Sequence, residues 1–263
     1  MVEPAATLPP DAARPLSGQR VLVTRAETSD DPLAEALGRL GATVLSQPAI
    51  RIGPPADWQP VDDALGRLHQ FDWLVFSSVN GVRSFLERSA ARKLDKPWPR
   101  IAAIGPGTAA ALREFGLEAS LVPNEFHAEA LAGALTPNAA GCRFLLARAS
   151  RGRDLLAQEL LRAGAQVEQV VVYTSTDVEE PEPEIAAMLA AGQIDWITVT
   201  SSAIARSLDR LFGHELQRAK LASISPLTSG VLRELGHRPT AEAQQSTLPG
   251  VAAAIARHAS HRA

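Results

Sequence analysis

The sequence predicts an α/β fold made of two similar, doubly wound parallel-sheet domains that arose by internal duplication. Three observations lead to this fold class. Three segments of the chain recur later in the same order, and each opens with a short apolar run of strand length. Each run is followed by a helical pattern rather than by alternating polar positions. Apolar strands that alternate with helices are typical of parallel sheets covered on both faces.

The recurring segments align without gaps at nearly constant offsets. Two pairs are offset by 123 residues and the third by 120. In chain order the pairs are residues 20–44 with 143–167, residues 71–84 with 194–207, and residues 101–116 with 221–236. Such self-similarity indicates one structural unit that is written twice.

The first segment of each copy predicts a strand, a helix and the start of a second strand. Residues 21–24 form an apolar run, and Leu33, Leu37 and Leu40 then recur at helical spacing. Gly41 stands where a glycine commonly ends a helix. The second copy repeats this pattern from residue 144 and has its own terminating Gly164.

The remaining two segments each predict a strand followed by a helix. Strands are expected at residues 72–76 and 101–104 of the first copy, and at 195–199 and 221–224 of the second. A polar or glycine-containing turn follows each of these four strands. Right-handed βαβ crossovers then connect the predicted strands into parallel sheets.

Two extended, proline-interrupted segments join the copies, at about residues 47–53 and 170–177. Residues 1–17 are rich in alanine and proline and predict a flexible tail. The repeat alone leaves open which units share a domain. The simplest division is into two contiguous halves that split near residue 140.

Composition limits the classes of function. The chain has 263 residues, 46% hydrophobic and 21% charged, with a formal charge of −3. This charge and the lack of a long basic run argue against a nucleic-acid surface. No apolar run has membrane-spanning length, and no signal-peptide pattern opens the chain, so neither a membrane nor secretion is expected. The single Cys142 excludes an internal disulfide and is typical of a cytoplasmic protein.

Polar side chains cluster where the predicted strands end. Ligands bind at the carboxyl ends of parallel strands, and helix N-termini attract anions. The arginines also suit carboxylates or phosphates. The same residues could simply cap helices, as serine and threonine often do. The anion-binding candidates are Arg25, Ser77, Ser78, Thr108, Arg148, Thr200, Ser201, Ser202, Pro226, Leu227 and Thr228.

Other chemical motifs are weak or missing in the sequence. Residues 105–110 match the G-x-G-x-x-A dinucleotide pattern, but Pro106 removes a backbone N–H from the turn that would hold the pyrophosphate. The six histidines show no metal-ligand spacing, so no metal is expected. Tyr173, the single tyrosine, ends an apolar run, which favours a packing role and leaves a catalytic one open.

Taken together, the ordered motifs resemble the uroporphyrinogen-III synthase family over about residues 18–258. The resemblance depends on their order and spacing rather than on any single motif. Ser225 departs from the family pattern, where glycine is common, and so do Val79 and Ser202, where proline is common. The motifs are VLVTR (residues 21–25), FSS (76–78), AIGPGTA (103–109), VVYT (171–174) and SISPLT (223–228).

The resemblance implies discontinuous domains, with residues 18–46 plus 178–258 in one and 50–172 in the other. It implies a cofactor-independent hydro-lyase of haem biosynthesis that converts hydroxymethylbilane to uroporphyrinogen III, with loss of water and inversion of the last pyrrole ring. Tyr173 would assist the departing hydroxyl, and Thr228 would contact the substrate, with Ser78, Thr108 and Ser201 lining the cleft. A cytoplasmic monomer that receives its substrate from hydroxymethylbilane synthase is expected.

Two other functions remain possible at this point. The duplicated sheets and hinge-like linkers also suit a non-catalytic sensor that closes on an anionic small molecule. The glycine pattern at residues 105–110 would suit a nucleotide-dependent enzyme. Conversion of the ligand distinguishes the synthase from the sensor, and binding of a nucleotide tests the third possibility.

Overall fold

The computed structural model describes residues 14–26, 31–92 and 97–260. The described residues divide into two compact units. The first unit contains those up to Arg51 and those from Thr176 onward, and the second contains Ile52–Ser175. Each unit therefore holds one member of every recurring pair.

The first unit is built on a five-stranded sheet of order β10-β9-β8-β1-β2. Every adjacent pair in this sheet is parallel. Its strands are β1 (Arg20–Val23), β2 (Thr43–Ser46), β8 (Trp196–Val199), β9 (Lys220–Ser223) and β10 (Pro239–Glu242). Its helices are α1 (Pro32–Arg39), α7 (Pro183–Ala190), α8 (Ser202–Phe212), α9 (Pro226–Glu234) and α10 (Leu248–Ser260).

Two apolar clusters cover the two faces of this sheet. Leu22 and Ile197 pack with α7, α8 and α9 on one side. Val21, Val23 and Trp196 pack with α1 and α10 on the other side. Successive side chains of a strand point to opposite faces, so a wholly apolar strand is buried from both directions.

The second unit has a five-stranded sheet of order β3-β7-β6-β4-β5. The pairs β4–β5, β4–β6 and β6–β7 are parallel. Its strands are β3 (Ile50–Gly53), β4 (Trp73–Phe76), β5 (Arg100–Ala103), β6 (Arg143–Ala149) and β7 (Gln166–Asp177). Its helices are α2 (Gln59–Gly66), α3 (Val79–Ala91), α4 (Pro106–Glu114), α5 (Ala128–Leu135) and α6 (Leu155–Arg162).

The second sheet is likewise buried on both faces. Phe76 and Leu145 pack with α2, α3 and α4 on one side. Trp73, Phe144 and Leu146 pack with α5 and α6 on the other, and the Trp73 and Phe144 rings stack at 6.2 Å. The predicted α/β class with doubly wound parallel sheets is confirmed.

The division into contiguous halves near residue 140 is wrong. Strand β6 pairs with β4, and β8 pairs with β1, so both sheets join segments from either side of residue 140. Local periodicity carries no information about such long-range pairing. The chain passes between the units at Arg51–Ile52 and again at Ser175–Thr176.

The predicted tail is shorter than expected. Residues 1–13 lie outside the described residues, but residues 15–18 form a turn and Leu16 is fully buried. The Leu16 N–H donates to the Leu40 carbonyl at 3.0 Å, just after α1. A single apolar side chain in a proline-rich stretch therefore anchors the start of the first unit. Across the described part of the chain, none of the helices has the length and apolar character to traverse a bilayer.

Candidate functional site

The serines at the strand ends cap the helices that follow. Ser78 accepts from the Gly81 N–H at 2.9 Å at the start of α3, and Ser201 accepts from the Ile204 N–H at 3.1 Å at the start of α8. These two caps stand at matching positions of the repeat, 123 residues apart. Each cap uses only one of the two acceptor lone pairs of its hydroxyl, so the hydroxyls keep capacity for a further partner.

Tyr173 lies on β7, with its ring in the apolar cluster beneath α3 and only 9% of its surface exposed. Its hydroxyl lies 3.0 Å from the Ser78 Oγ. Burial of the phenol raises the pKa of Tyr173, while the Ser78 hydrogen bond and the Arg151 charge partly oppose that rise. Tyr173 therefore keeps its proton at neutral pH.

The Ser78–Tyr173 pair can direct that proton outward. Ser78 already accepts the Gly81 N–H, and its own O–H can donate to the phenol oxygen. In that arrangement the Tyr173 O–H is free to donate to a ligand. A buried hydroxyl with one defined partner is a typical arrangement for a hydrogen-bond donor or general acid.

Tyr173 and its partner Ser78 both line a cavity of about 210 Å³ in the second unit. The cavity has an apolar floor, to which Val75, Ile104, Leu131 and Leu146 contribute, and a cationic, hydroxyl-bearing wall. This combination suits a short aliphatic chain that ends in a carboxylate. The polar wall consists of Ser77, Ser78, Arg148, Arg151, Arg153, Gln169 and Tyr173.

Arg148 is held in place by its neighbours at the end of β6. Its guanidinium donates to the Asp154 carboxylate, to Gln169 Oε1 at 2.7 Å and to the Gly152 carbonyl at 3.2 Å. The side chain is only 22% exposed. Fixing an arginine in this way lowers the entropy that it loses when it binds an anion.

The loop after β6 is also fastened to β7 beside Tyr173. The Ser150 N–H donates to the Tyr173 carbonyl at 2.9 Å, and the Ser175 N–H donates to Ser150 Oγ at 3.2 Å. Arg151 Nε donates to Ser175 Oγ at 3.1 Å. These bonds bring the loop's positive charge close to the tyrosine.

The third cavity arginine, Arg153, pairs with Glu129 in the first turn of α5. The hydrogen bond from Arg153 to the Glu129 carboxylate is the main reason why the pKa of Glu129 is lowered to about 2. Both side chains are more than 40% exposed, so solvent screens the pair. Solvent therefore weakens the attraction between Glu129 and Arg153.

A second cavity, of about 390 Å³, is also lined by Tyr173. Trp58 and Arg88 lie in its wall, with the Arg88 guanidinium 5.0 Å from the centroid of the Trp58 ring. Arg88 also makes two hydrogen bonds to Asp62, at 2.8 and 2.6 Å. Asp62 also pairs with Arg92, so two arginines share this carboxylate.

The first unit carries the matching arginine. Arg25 follows β1 and donates to Asp31 Oδ1 at 3.2 Å, and Asp31 caps α1. Thr200 and Ser201 follow the neighbouring β8, and Ser202 begins α8. All four candidate side chains here are partly exposed.

The two threonines of the repeated helix starts are buried. Thr108 is 4% exposed and Thr228 is 2% exposed, and Thr228 shares a 3.1 Å hydrogen bond with Ser225. By contrast, Leu227 is 46% exposed, and the neighbouring Pro226 is exposed as well. In this structure both threonines are packed in the first turn of a helix. Contact of either threonine with the substrate therefore stays a prediction.

The glycine pattern at residues 105–110 has a structural explanation. Gly105 precedes α4, and a Cβ there would lie 3.0 Å from the Phe126 Cβ. Pro106 takes the first helical turn, where its missing N–H costs nothing. Close packing by Phe126 therefore accounts for Gly105 without a nucleotide.

The structure thus brings four of the predicted residues, Ser77, Ser78, Arg148 and Tyr173, into one cavity wall. It adds Arg151 and Arg153, which are not among the candidates predicted from the sequence. Their signal was the arginine-rich stretch of residues 148–153 at a strand end. Among the described residues, no group of three or more His, Cys, Asp or Glu side chains is placed to hold a metal ion.

Comparison with known proteins shows the family to which the chain belongs. The model of the family described as "Uroporphyrinogen-III synthase HemD" matches residues 15–253. The chain belongs to the uroporphyrinogen-III synthase family. A uroporphyrinogen-III synthase of Synechococcus elongatus is 35% identical over 257 residues, which cover 93% of this chain and 97% of that protein.

Solved structures of this family share the fold. A crystal structure of a mutant uroporphyrinogen III synthase from the extremely thermophilic bacterium Thermus thermophilus aligns with a TM-score of 0.64 at 20% identity, covering 94% of this chain and 100% of that one. A uroporphyrinogen-III synthetase from Helicobacter pylori 26695 aligns with a TM-score of 0.59 at 17% identity, covering 89% and 96%. At these identities the likeness concerns the fold alone.

Proposed function

We propose that this chain is a uroporphyrinogen-III synthase of haem biosynthesis. It converts the linear tetrapyrrole hydroxymethylbilane to the macrocycle uroporphyrinogen III, with loss of water and inversion of the last pyrrole ring. Membership of the family supports the reaction. The assignment of the site depends on one observation. The protonated Tyr173 hydroxyl is bonded to Ser78, and both residues lie in the wall of a cationic cavity.

Tyr173 is proposed to act on the departing hydroxyl group. Donation of its O–H proton converts that hydroxyl to water, and the C–O bond breaks to leave a cation on the terminal methylene carbon. Ser78 supports the step because its own O–H can donate to the phenol oxygen as negative charge develops there. Attack on this cation by the substituted α-carbon of the last pyrrole forms a spiro intermediate. The bond from that carbon to its original bridging methylene then breaks, and the methylene bonds instead to the unsubstituted α-carbon of the same ring, which closes the inverted macrocycle. The proton lost from that α-carbon returns to the Tyr173 phenolate.

The polar strand ends are proposed to impose the folded conformation that this cyclisation needs. The substrate has eight carboxylates, and a flexible chain closes without inversion when nothing restrains it. Helix N-termini at Ser78 and Ser201, together with Arg25 and Arg148, supply matching donors in the two units. Backbone N–H groups and guanidinium groups are the usual partners of carboxylates.

Several finer features belong to the same proposal. The synthase acts as a hydro-lyase without a cofactor, because the chemistry requires only proton transfer and conformational control. It works as a cytoplasmic monomer and receives its unstable substrate from hydroxymethylbilane synthase. The domain limits that the family resemblance implies, residues 18–46 plus 178–258 and residues 50–172, are part of this proposal as well.

The test is conversion of freshly prepared hydroxymethylbilane, followed by oxidation of the products and separation of the isomers. We expect isomer III to dominate, whereas the reaction without protein yields isomer I. Tyr173→Phe should reduce turnover by about 100-fold, the usual scale for a lost general acid. Its free energy of unfolding should change by only about 1 kcal/mol, the value of one hydrogen bond.

An isomer ratio equal to that of the spontaneous reaction would refute the synthase. Thermal stabilisation by hydroxymethylbilane without any conversion would instead indicate the anion sensor. Full activity of Tyr173→Phe, with the isomer III product retained, would remove Tyr173 from the mechanism and leave the synthase assignment intact.

A further inference from the structure

The wider cavity beside Tyr173, of about 390 Å³, has the size of a small-molecule site. It lies wholly within the second unit, because its lining residues fall between Ile52 and Tyr173. Trp58, just before α2, forms part of the lining, and one face of α3 forms another part. The α3 residues are Asn80, Arg83, Ser84, Glu87 and Arg88.

The charges of this cavity differ from those of the narrower, arginine-lined cavity. Arg83 pairs with Glu114 and Arg88 pairs with Asp62, so both cations of the lining already have carboxylate partners. Glu87 is exposed and forms no ion pair with any residue that the structure describes. Such a lining favours a ligand that donates hydrogen bonds or carries positive charge over one that carries a carboxylate.

Asn80 supplies an uncharged acceptor in the same lining. It stands in the first turn of α3, two residues after Ser78, whose Oγ is 3.0 Å from the Tyr173 hydroxyl oxygen. One turn later Ser84 donates to the Val172 carbonyl, which fastens α3 to β7 beside Tyr173. Asn80 and Ser84 are four positions apart and therefore share a helix face. The Asn80 carboxamide is partly exposed and forms no hydrogen bond with the described residues, so its oxygen can accept from a ligand.

The internal repeat offers a comparison, because the contact that fastens α3 to β7 has a counterpart in the first unit. There Ser207 donates to the Ala49 carbonyl. These two residues correspond to Ser84 and Val172 at the offset of 123. The arrangement of helix and crossing strand is therefore duplicated.

The two copies differ in the polar groups that this arrangement carries. At the offset of 123, Asn80 corresponds to Ala203, and Tyr173 corresponds to Ile50. The carboxamide and the phenol thus occur together in one copy, and apolar side chains replace both in the other. Because alanine suffices at this position of α8, the fold itself does not require an asparagine at the start of α3. The occurrence of Asn80 with Tyr173 points to a task that the two side chains share.

We propose that this cavity is a ring subsite, which holds the pyrrole that bears the leaving hydroxyl group, and that Asn80 Oδ1 accepts the N–H of that ring. The inference rests on the proposed function. When the C–O bond breaks, its electron pair leaves with the water molecule that the Tyr173 proton completes. The positive charge left on the methylene carbon is conjugated with the ring, so the ring N–H becomes a stronger donor. The hydrogen bond to Asn80 is therefore stronger in the transition state than in the ground state, which accelerates the step.

The kinetic test substitutes Asn80 in two ways. Asn80→Ala removes the acceptor and should lower kcat about tenfold with KM within about twofold, because the bond strengthens only as charge develops. Asn80→Asp keeps an oxygen acceptor and adds negative charge, so its kcat should stay within about threefold of that of the unaltered protein. Asn138→Ala, at an exposed position between α5 and β6, is the matched control and should change neither constant.

The binding test does not depend on turnover. Porphobilinogen, a single pyrrole with one acetate and one propionate, is compared with its N-methyl derivative, which has no ring N–H to donate. The unaltered protein should bind porphobilinogen about fivefold more tightly, the scale of one hydrogen bond, and Asn80→Ala should bind the two alike. In the NMR spectrum the indole N–H signal of Trp58, assigned with Trp58→Phe, should shift on binding. The signal of Trp196, which lies in the first unit, should not.

Failure of the inference and failure of the function have different signatures. An unchanged kcat of Asn80→Ala, with isomer III still formed, would overturn the ring subsite alone. An equal loss of activity in Asn80→Asp and Asn80→Ala would also overturn it, since the acceptor would then not matter. Equal affinity of the unaltered protein for both pyrroles, or an unshifted Trp58 signal, would have the same meaning. A protein that prefers the N–H pyrrole through Asn80 but forms no isomer III would retain the subsite and lose the synthase.

Discussion

At the scale of single residues, Tyr173 combines two properties that the sequence presented as alternatives. Its ring packs in the core of the second unit, and its hydroxyl is bonded to Ser78, with which it lines a polar cavity. A tyrosine at the end of an apolar run favours packing when only its neighbours in the sequence are known. The catalytic possibility becomes specific once Ser78, 95 residues earlier, is placed 3.0 Å away.

The ionisation of Tyr173 provides a direct test of its surroundings. It is the only tyrosine in the chain, so phenolate absorbance in an alkaline titration reports on this side chain alone. Because burial favours the neutral phenol, we expect the pKa to lie above its ordinary value of 10.0. Because the pKa of Tyr173 is higher in the folded state, the contribution of the buried neutral phenol to folding stability is complete below about pH 10. That contribution is lost as pH rises through the folded-state pKa.

The same titration can be repeated in two variants. Arg151→Gln and Ser78→Ala each remove an influence that lowers the pKa of Tyr173, so each should raise it further. Arg39→Gln serves as the control for loss of a distant charge. A phenol that titrates at its ordinary value in the unaltered protein would contradict the burial seen here.

At the scale of elements, the repeat and the helix caps were readable from the sequence. Gly41 and Gly164 end α1 and α6 with φ angles of 94° and 83°, as their positions predicted. Pro106 and Pro226 open α4 and α9 in both copies. These features are local, and local backbone preferences suffice to predict them.

The two glycines before and within α4 make a matched pair for a stability test. Gly105→Ala would press a methyl group against Phe126 and should lower the free energy of unfolding by about 1–3 kcal/mol. Gly107→Ala meets nothing closer than 3.9 Å and lies inside the helix, where alanine is preferred by about 1 kcal/mol. It should therefore leave the protein equally or more stable.

Urea unfolding of both variants measures the difference. If Gly105 were retained for a nucleotide rather than for packing, Gly105→Ala would unfold at the same urea concentration as the unaltered protein. In that case Gly105→Ala would weaken binding of NAD or a related nucleotide instead.

At the scale of the whole molecule, the arrangement of the units predicts which fragments fold. Residues 50–177 contain every strand of the second sheet and both of its apolar clusters. We expect this fragment to show a dispersed NMR spectrum and a cooperative thermal transition. A fragment of residues 1–140 should do neither, since it lacks β6, the partner of both β4 and β7.

The same two fragments test the proposed domain limits. Cooperative folding of residues 1–140, with residues 50–177 remaining unfolded, would contradict the proposed limits and support two contiguous halves instead. Folding of residues 50–177 would support the limits implied by the family. Circular dichroism of both fragments at equal concentration supplies the secondary-structure content for the comparison.

The sequence by itself determined the α/β class, the strands and helices of the recurring segments and the duplicated polar strand ends, because these follow from local periodicity and turn chemistry. The tertiary structure decided which copies share a sheet, because strand pairing joins residues that are more than 100 positions apart. It also decided that Ser78, Arg148 and Tyr173 line one cavity and that Thr108 and Thr228 are buried. Side-chain neighbours of this kind depend on packing between elements, and periodicity within one element does not contain them.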